Sequence, residues 1–250
     1  MNYRHITWSA TLFFTALLAP ATAGESRAVI ELFTSQGCSS CPPADKVLGE
    51  LAHDPSLITL SLAVDYWDYL GWKDTLALHG HSNRERAYAD ARGDHDVFTP
   101  QVVVNGTVDV LGSDKAAIES AIDKTRHNST PLALPVTMTV ADGRVTVNVP
   151  DAKDEHRTAE VWLCPITHKV TVAIERGENK DHTLTYTNVV RRWVRLGDWS
   201  GKAQTFSIPV AELPNGSYAL KDIDGVTVLV QSGVAAKPGP ILGAATADLR

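Results

Sequence analysis

Two cysteines separated by two serines and followed by two prolines, Cys38-Ser39-Ser40-Cys41-Pro42-Pro43, are the residues of this chain best suited to chemistry. Their spacing fits a redox pair, half of a metal site, or a small disulfide strut. Disulfide exchange needs a thiolate nucleophile and a second cysteine close enough to resolve the mixed disulfide. A helical pattern, PADKVLGELAH, begins at Pro43. A helix start near Cys41 would place Cys38 where the helix dipole and unpaired backbone N–H groups favour negative charge. Cys38 is therefore expected to attack and Cys41 to resolve. Pro42 and Pro43 suit the first helical turn, where an N–H has no intrahelical partner. Structural zinc takes four Cys or His ligands, and no second Cys-x-x-Cys exists here. No metal and no cofactor are expected, with copper(I), which soft ligands suffice to hold, kept as an alternative.

The compartment decides what becomes of such a pair. Residues 1–23 carry a basic Arg4, an apolar run, Pro20, and small residues at Ala21 and Ala23. That order is a secretory signal peptide cleaved near Ala23. The run is shorter than the roughly 20 residues that span a bilayer, so no membrane span is expected after cleavage. A periplasmic or secreted location is oxidising, and a close cysteine pair there forms a disulfide or cycles through one. Only 3 cysteines serve 250 residues, so the fold must rest on its core rather than on staples. Cys164, in the apolar EVWLCPI, is expected to be a buried free thiol. A net charge of -6 gives no electrostatic reason to expect nucleic acid.

Two regimes follow. Over residues 24–128, strand-like AVIELFT and LITLSLAV alternate with helical PADKVLGELAH and SNRERAYADA, the latter with Ser82 as expected N-cap. TPQVVVNGTVDVLG then reads as a hairpin turning at Asn105-Gly106, and SDKAAIESAIDKT as a helix capped by Ser113. HGHSN and GDHDV read as solvated loops. Over residues 132–234, short strands punctuated by Asp142-Gly143 and other turns suggest a β-sandwich, with single strands at HTLTYTNVVRRWVRL and YALKDI. The border NSTPLALP has linker composition, and residues 235–250, rich in Ala, Gly and Pro, read as an irregular tail or edge segment. The expected fold class is α/β, a mixed sheet with flanking helices, followed by an all-β domain.

The order βαβα-ββα is similar to the thioredoxin fold. That resemblance implies a cis peptide bond at Thr99-Pro100, facing the cysteines and leaving the Thr99 backbone free to pair with an extended substrate. It also raises Glu31, alternating with Val29 and Phe33, as an acid behind the disulfide able to shuttle the Cys41 proton; an exposed strand carboxylate is the other reading. In DYWDYLGWKD, Trp67, Tyr69 and Trp72, beside Tyr66, fall beyond the sheet edge where α/β proteins bind ligands. They would form an apolar lip for a partner, or cover the core. Asn179 and the run NVVRR carry polar groups between strands, suited to turns or to an interaction surface.

With FTSQGCSSCPPAD, VDYWDYLGWKD, FTPQVVVNG, RGEN and YTNVVR assembled, the chain resembles a family of exported bacterial proteins of unknown function, domain of unknown function 1223. The resemblance carries over the pair Cys38 and Cys41 and the proline Pro100, and implies a thioredoxin-like N-terminal part. Ser39-Ser40 stands where well-studied thioredoxins have Gly-Pro, which leaves the redox potential open. The expected function is thiol–disulfide exchange with a protein partner. The alternatives are a non-enzymatic binding module stiffened by a permanent Cys38–Cys41 disulfide, and a copper(I)-handling protein.

Overall fold

The computed structural model describes residues 26–126, 131–152, 158–214 and 216–249. The expected signal peptide lies outside these residues, as does the polar start of the expected linker. Among the described residues, no helix is long and apolar enough to cross a membrane.

The first strand, β1 (Ala28–Thr34), is buried along its whole length. It pairs in parallel with β2 (Leu57–Ala63) and antiparallel with β3 (Gln101–Val104), which pairs with β4 (Val108–Leu111). Strand alternation sends Ala28, Ile30 and Leu32 of β1 toward α1 (Pro42–Leu51) and α3 (Lys115–Arg126), where they meet Ala44, Leu48, Ile118 and Ile122. Val29 and Phe33 point the other way, into a cluster with Tyr88 of α2 (His79–Arg92). The β3–β4 turn sits where Asn105-Gly106 predicts it, with both residues at positive φ, 52° and 72°. Asn105 also accepts from the Val29 amide at 2.7 Å and donates to Thr125 at 2.9 Å, tying the turn to β1 and α3.

Beyond β2 the sheet does not end at the expected border. Strand β8 (Thr183–Val190) joins β2 through the parallel pair Ser61–Val189, and the order runs β12-β11-β7-β8-β2-β1-β3-β4. A mixed sheet of 9 strands thus includes both regimes, with β9 (Val194–Trp199) attached to β7 (Ala159–Ala173). A second sheet, β10-β6-β5, is built from β5 (Thr137–Ala141), β6 (Arg144–Val149) and β10 (Gln204–Pro209). Val145, Val147, Val149 and Phe206 of that sheet pack onto Val161, Leu163, Trp199, Val226 and Val228 of the large one.

Several local expectations are corrected. Residues 235–250, expected to be an irregular tail or an edge segment, are not an irregular tail: they hold β12 (Lys237–Asp248), which pairs with β11 (Gly225–Val234) as an edge strand. Its small residues suit close approach: a Cβ on Gly243 would lie 2.6 Å from Val136 and 2.7 Å from the Leu134 carbonyl. The single strand expected at HTLTYTNVVRRWVRL is broken into β8 and β9, which follow one another along the same side of β7. The break faces Pro165, which accepts from the Arg191 amide at 2.9 Å but has no N–H to return. YALKDI contains a short 3₁₀ turn at Leu220–Asp222 instead of a strand. HGHSN is the start of α2, and His81 is fully buried with Nδ1 2.9 Å from the Ala63 carbonyl; burial lowers its pKa to about 4. Ser82 lies inside α2 rather than capping it, and its hydroxyl serves Asp65. Asp114, not Ser113, caps α3, accepting from the Ala117 amide at 2.9 Å.

Candidate functional site at the first strand-to-helix junction

Where β1 ends, the chain turns through Ser35–Ser40 and enters α1. Cys38 and Cys41 form a disulfide there, with Cα atoms 5.4 Å apart. Pro42 and Pro43 occupy the first two positions of α1 and Cys41 is its N-cap. This arrangement alters one expectation. The prolines have no N–H to offer, and the next amides, of Ala44 and Asp45, both go to the Cys41 carbonyl. The free amide donors expected to favour a Cys38 thiolate are therefore missing, and the helix dipole acts without them. Around the Cys38 sulfur the structure places the Ser40 hydroxyl at 3.4 Å, a donor, and the Thr99 carbonyl at 3.8 Å.

The Thr99-Pro100 bond is cis, as the thioredoxin resemblance implied. Behind it the packing is tight. Gly112 donates its amide to the Pro100 carbonyl at 2.9 Å, and a Cβ there would meet Leu32 at 2.8 Å, Ala44 at 3.2 Å and Pro100 at 3.3 Å. Gly112→Ala is expected to destabilise the fold by about 1–3 kcal/mol, the cost of an added methyl in a filled core. Urea denaturation of the oxidised protein checks this.

The aromatic segment serves the junction through its indole N–H groups. Trp67 donates to the Thr99 hydroxyl at 2.7 Å, and its Cβ would stand 3.0 Å from a side chain at Gly37. Trp72 donates to the Gln36 side chain at 2.8 Å. Tyr69 alone of the three projects, 78% exposed, from the 3₁₀ turn Asp68–Leu70. Asp74 closes the same region, accepting from the amides of Gln36, Leu76 and Ala77; burial raises its pKa to about 6 against those bonds.

Glu31 is not behind the disulfide. Its side chain lies on the α2 face, fully buried, bound by Arg84 at 2.7 and 3.2 Å and by the Tyr88 hydroxyl at 2.6 Å. Arg84 also donates to Gln231 of β11 at 2.8 Å and stacks 4.3 Å from the Trp193 ring centre. Cys164, a buried free thiol as expected, lies within the electrostatic reach of this pair, and burial pushes its pKa up.

A second buried acid, Asp45, lies on α1 itself. It sits one turn below Cys41 on α1, its amide 3.1 Å from the Cys41 carbonyl, and helical side chains lean back toward the N-terminus. The carboxyl is buried and neither oxygen makes a hydrogen bond of normal geometry. Burial raises its pKa well above the ordinary value, the neighbouring Thr34 hydroxyl opposing and the Asp74 charge adding. Asp45 also stands on the wall of a cleft of about 900 Å³ that runs along α1 past His53, Thr59 and Thr187.

The second half of the chain closes over the junction. Between β7 and β8, Asn179 is buried and donates from Nδ2 to the carbonyls of both Gln36 and Cys38, each at 2.9 Å. Glu178 accepts from the Ser39 amide at 3.2 Å. Asp74, Gln36 and Glu178 carry no signal that separates them from ordinary loop residues in one sequence. Asp45 had one usable hint, its i+4 spacing from Cys41.

A family model described as "Protein of unknown function (DUF1223)" matches residues 29–231. Among solved structures, the protein AGR_C_4864 from Agrobacterium tumefaciens is 32% identical, with a TM-score of 0.76 over 88% of this chain and 93% of that one. HBP35 of Porphyromonas gingivalis is similar in fold, with a TM-score of 0.56 at 13% identity over 90% of this chain and 76% of that one. No curated protein matches the sequence.

Proposed function

The chain belongs to the DUF1223 family of proteins of unknown function, and from that premise we propose that it is an exported thiol–disulfide exchange protein acting through Cys38 and Cys41. The observation that carries this reading is a disulfide at a strand-to-helix junction, faced by the Thr99 carbonyl, with an unpaired buried carboxyl, Asp45, one helical turn after Cys41. The strand order β2-β1-β3-β4, with α1 and α3 on one face and α2 on the other, supports reading residues 24–128 as a thioredoxin-like unit. The two facing sheets of residues 132–234 are then a sandwich fused to its edge, and residues 1–23 the export signal.

In the reducing direction, a partner thiolate attacks Cys38 Sγ and the Cys38–Cys41 bond breaks. Cys41 leaves with the electron pair and takes the Asp45 proton. The partner's second thiolate then attacks the mixed disulfide and releases Cys38 as thiolate, so the partner dithiol is oxidised and the pair reduced. Running the same steps backward oxidises Cys38 and Cys41. Asp45, rather than Glu31, holds the proton of the resolving thiol.

Cys41→Ser should freeze the intermediate. Acid-quenched cells expressing it are expected to contain covalent adducts between this protein and partner proteins, lost on reduction and lost when Cys38 is also replaced. A Cys41→Ser protein that carries only a free Cys38 thiol would sink the proposal.

One observation favours a second reading: Cys38 is only 1% exposed. A non-enzymatic binding module with a permanent strut would look the same. A reduction potential below about -300 mV would support the strut, since structural disulfides of secreted proteins lie in that range.

A further inference from the structure

We propose that residues 174–182, the connection between β7 and β8, form a clamp over the disulfide, and that Asn179 is the positioning residue that decides access to Cys38. The inference rests on the reading that Cys38 is the sulfur attacked. Attack on a disulfide sulfur requires approach along the S–S axis, and Cys38 is sealed in the closed structure. The loop that carries it is held from outside by the second half of the chain. Asn179 spends both of its amide hydrogens on the carbonyls of Gln36 and Cys38, and Glu178 takes the Ser39 amide.

The clamp is preformed and lightly anchored. Its ends are tied by Ile174 N–H to His182 O and Asp181 N–H to Ile174 O, each 2.9 Å. Gly177, at φ 79°, lets the tip turn against Trp72, whose Cβ would lie 3.3 Å from a side chain there. Within the tip only Ile174 and Asn179 are buried, while Glu175, Arg176, Glu178 and Lys180 face solvent. Lifting the tip therefore breaks a few hydrogen bonds and exposes little apolar surface, which places it among the segments that open locally without global unfolding. The two carbonyls freed by Asn179 accept hydrogen bonds, so a partner segment offering backbone N–H groups can take its place. The device thus selects an extended polypeptide over a small thiol.

The test uses the oxidised full chain and dithiothreitol, which becomes a cyclic disulfide as Cys38 and Cys41 become two thiols. Asn179→Ala removes both donors and is expected to speed this reduction by about 10-fold or more. Glu178→Ala, which removes one exposed bond, should give a smaller increase. Cys164, buried in the core cluster on the α2 face, reports on global opening: its alkylation rate should stay at the wild-type level in both variants. An unchanged or slower reduction of Asn179→Ala would overturn the clamp, and so would a faster reduction matched by equal exposure of Cys164. No partner protein enters the assay, so failure of Cys41→Ser to trap adducts would remove the exchange function and leave this result standing.

Discussion

Replacing Arg84 with methionine is expected to lower the unfolding free energy by about 3–5 kcal/mol, the usual cost of stranding one member of a buried ion pair. Glu31 would remain with no exposure to water, losing bonds of 2.7 and 3.2 Å and keeping only the Tyr88 hydroxyl. The loss extends to the second half of the chain, because Arg84 and Tyr88 both bond to Gln231 on β11. Restoring electrical balance should restore much of the stability: Glu31→Leu together with Arg84→Met removes both charges and is expected to be clearly more stable than Arg84→Met alone. Urea denaturation of the three proteins at neutral pH measures this. A double variant no better than the single one would show that shape and the Tyr88–Gln231 bonds, not charge, hold this layer. Because the network lies on the α2 face, neither variant should change the reduction rate of Cys38–Cys41 by more than a small factor.

Asp45→Asn should move stability and exchange in opposite directions. A carboxyl whose pKa is raised in the fold contributes stability that is full below the unfolded pKa and lost as pH rises through the folded value. The amide cannot ionise, so Asp45→Asn is expected to gain on the wild type progressively as pH rises above the ordinary carboxylate range. Thr34 from β1, Asp74 from the loop before α2 and Tyr186 from β8 act electrostatically on this site or feel its charge. The Thr34 hydroxyl beside the carboxyl can accept from the new amide. Reduction of the disulfide should slow by about 100-fold, the low end for general acid–base catalysis, because Cys41 would leave without a proton. The pH profile of that rate should also lose the limb that follows Asp45 ionisation. An unchanged rate and profile would remove Asp45 from the reaction while leaving the stability result intact.

The contrast between Glu31 and Asp45 shows what kind of information a single sequence holds. In AVIELFT the alternation correctly states that Glu31 shares a face with Val29 and Phe33. Which of the two sheet faces carries the disulfide depends on which side α1 packs, and that is settled by Leu48 and Leu51 docking with Ile30 and Leu32. The proline pair was equally visible: Pro42 and Pro43 remove amide donors wherever the helix begins. Only the register of α1, starting at Pro42, shows that those two donors are the ones nearest Cys38.

The sequence by itself determined the local and covalent features. These are the close cysteine pair, the helix beginning beside it, the Asn105-Gly106 turn, the βαβα-ββα order and membership of the family. Each depends on neighbours within a few residues, whose sterics and periodicity act without the rest of the chain. The tertiary structure alone decided that the two regimes share one sheet, that residues 237–248 complete its edge, and that Asn179 reaches over 143 residues to the Gln36 carbonyl. Strand pairing and side-chain bonds between distant segments depend on burial and hydrogen-bond satisfaction in three dimensions. A polar residue in a turn reads the same in sequence whether it faces water or seals a disulfide.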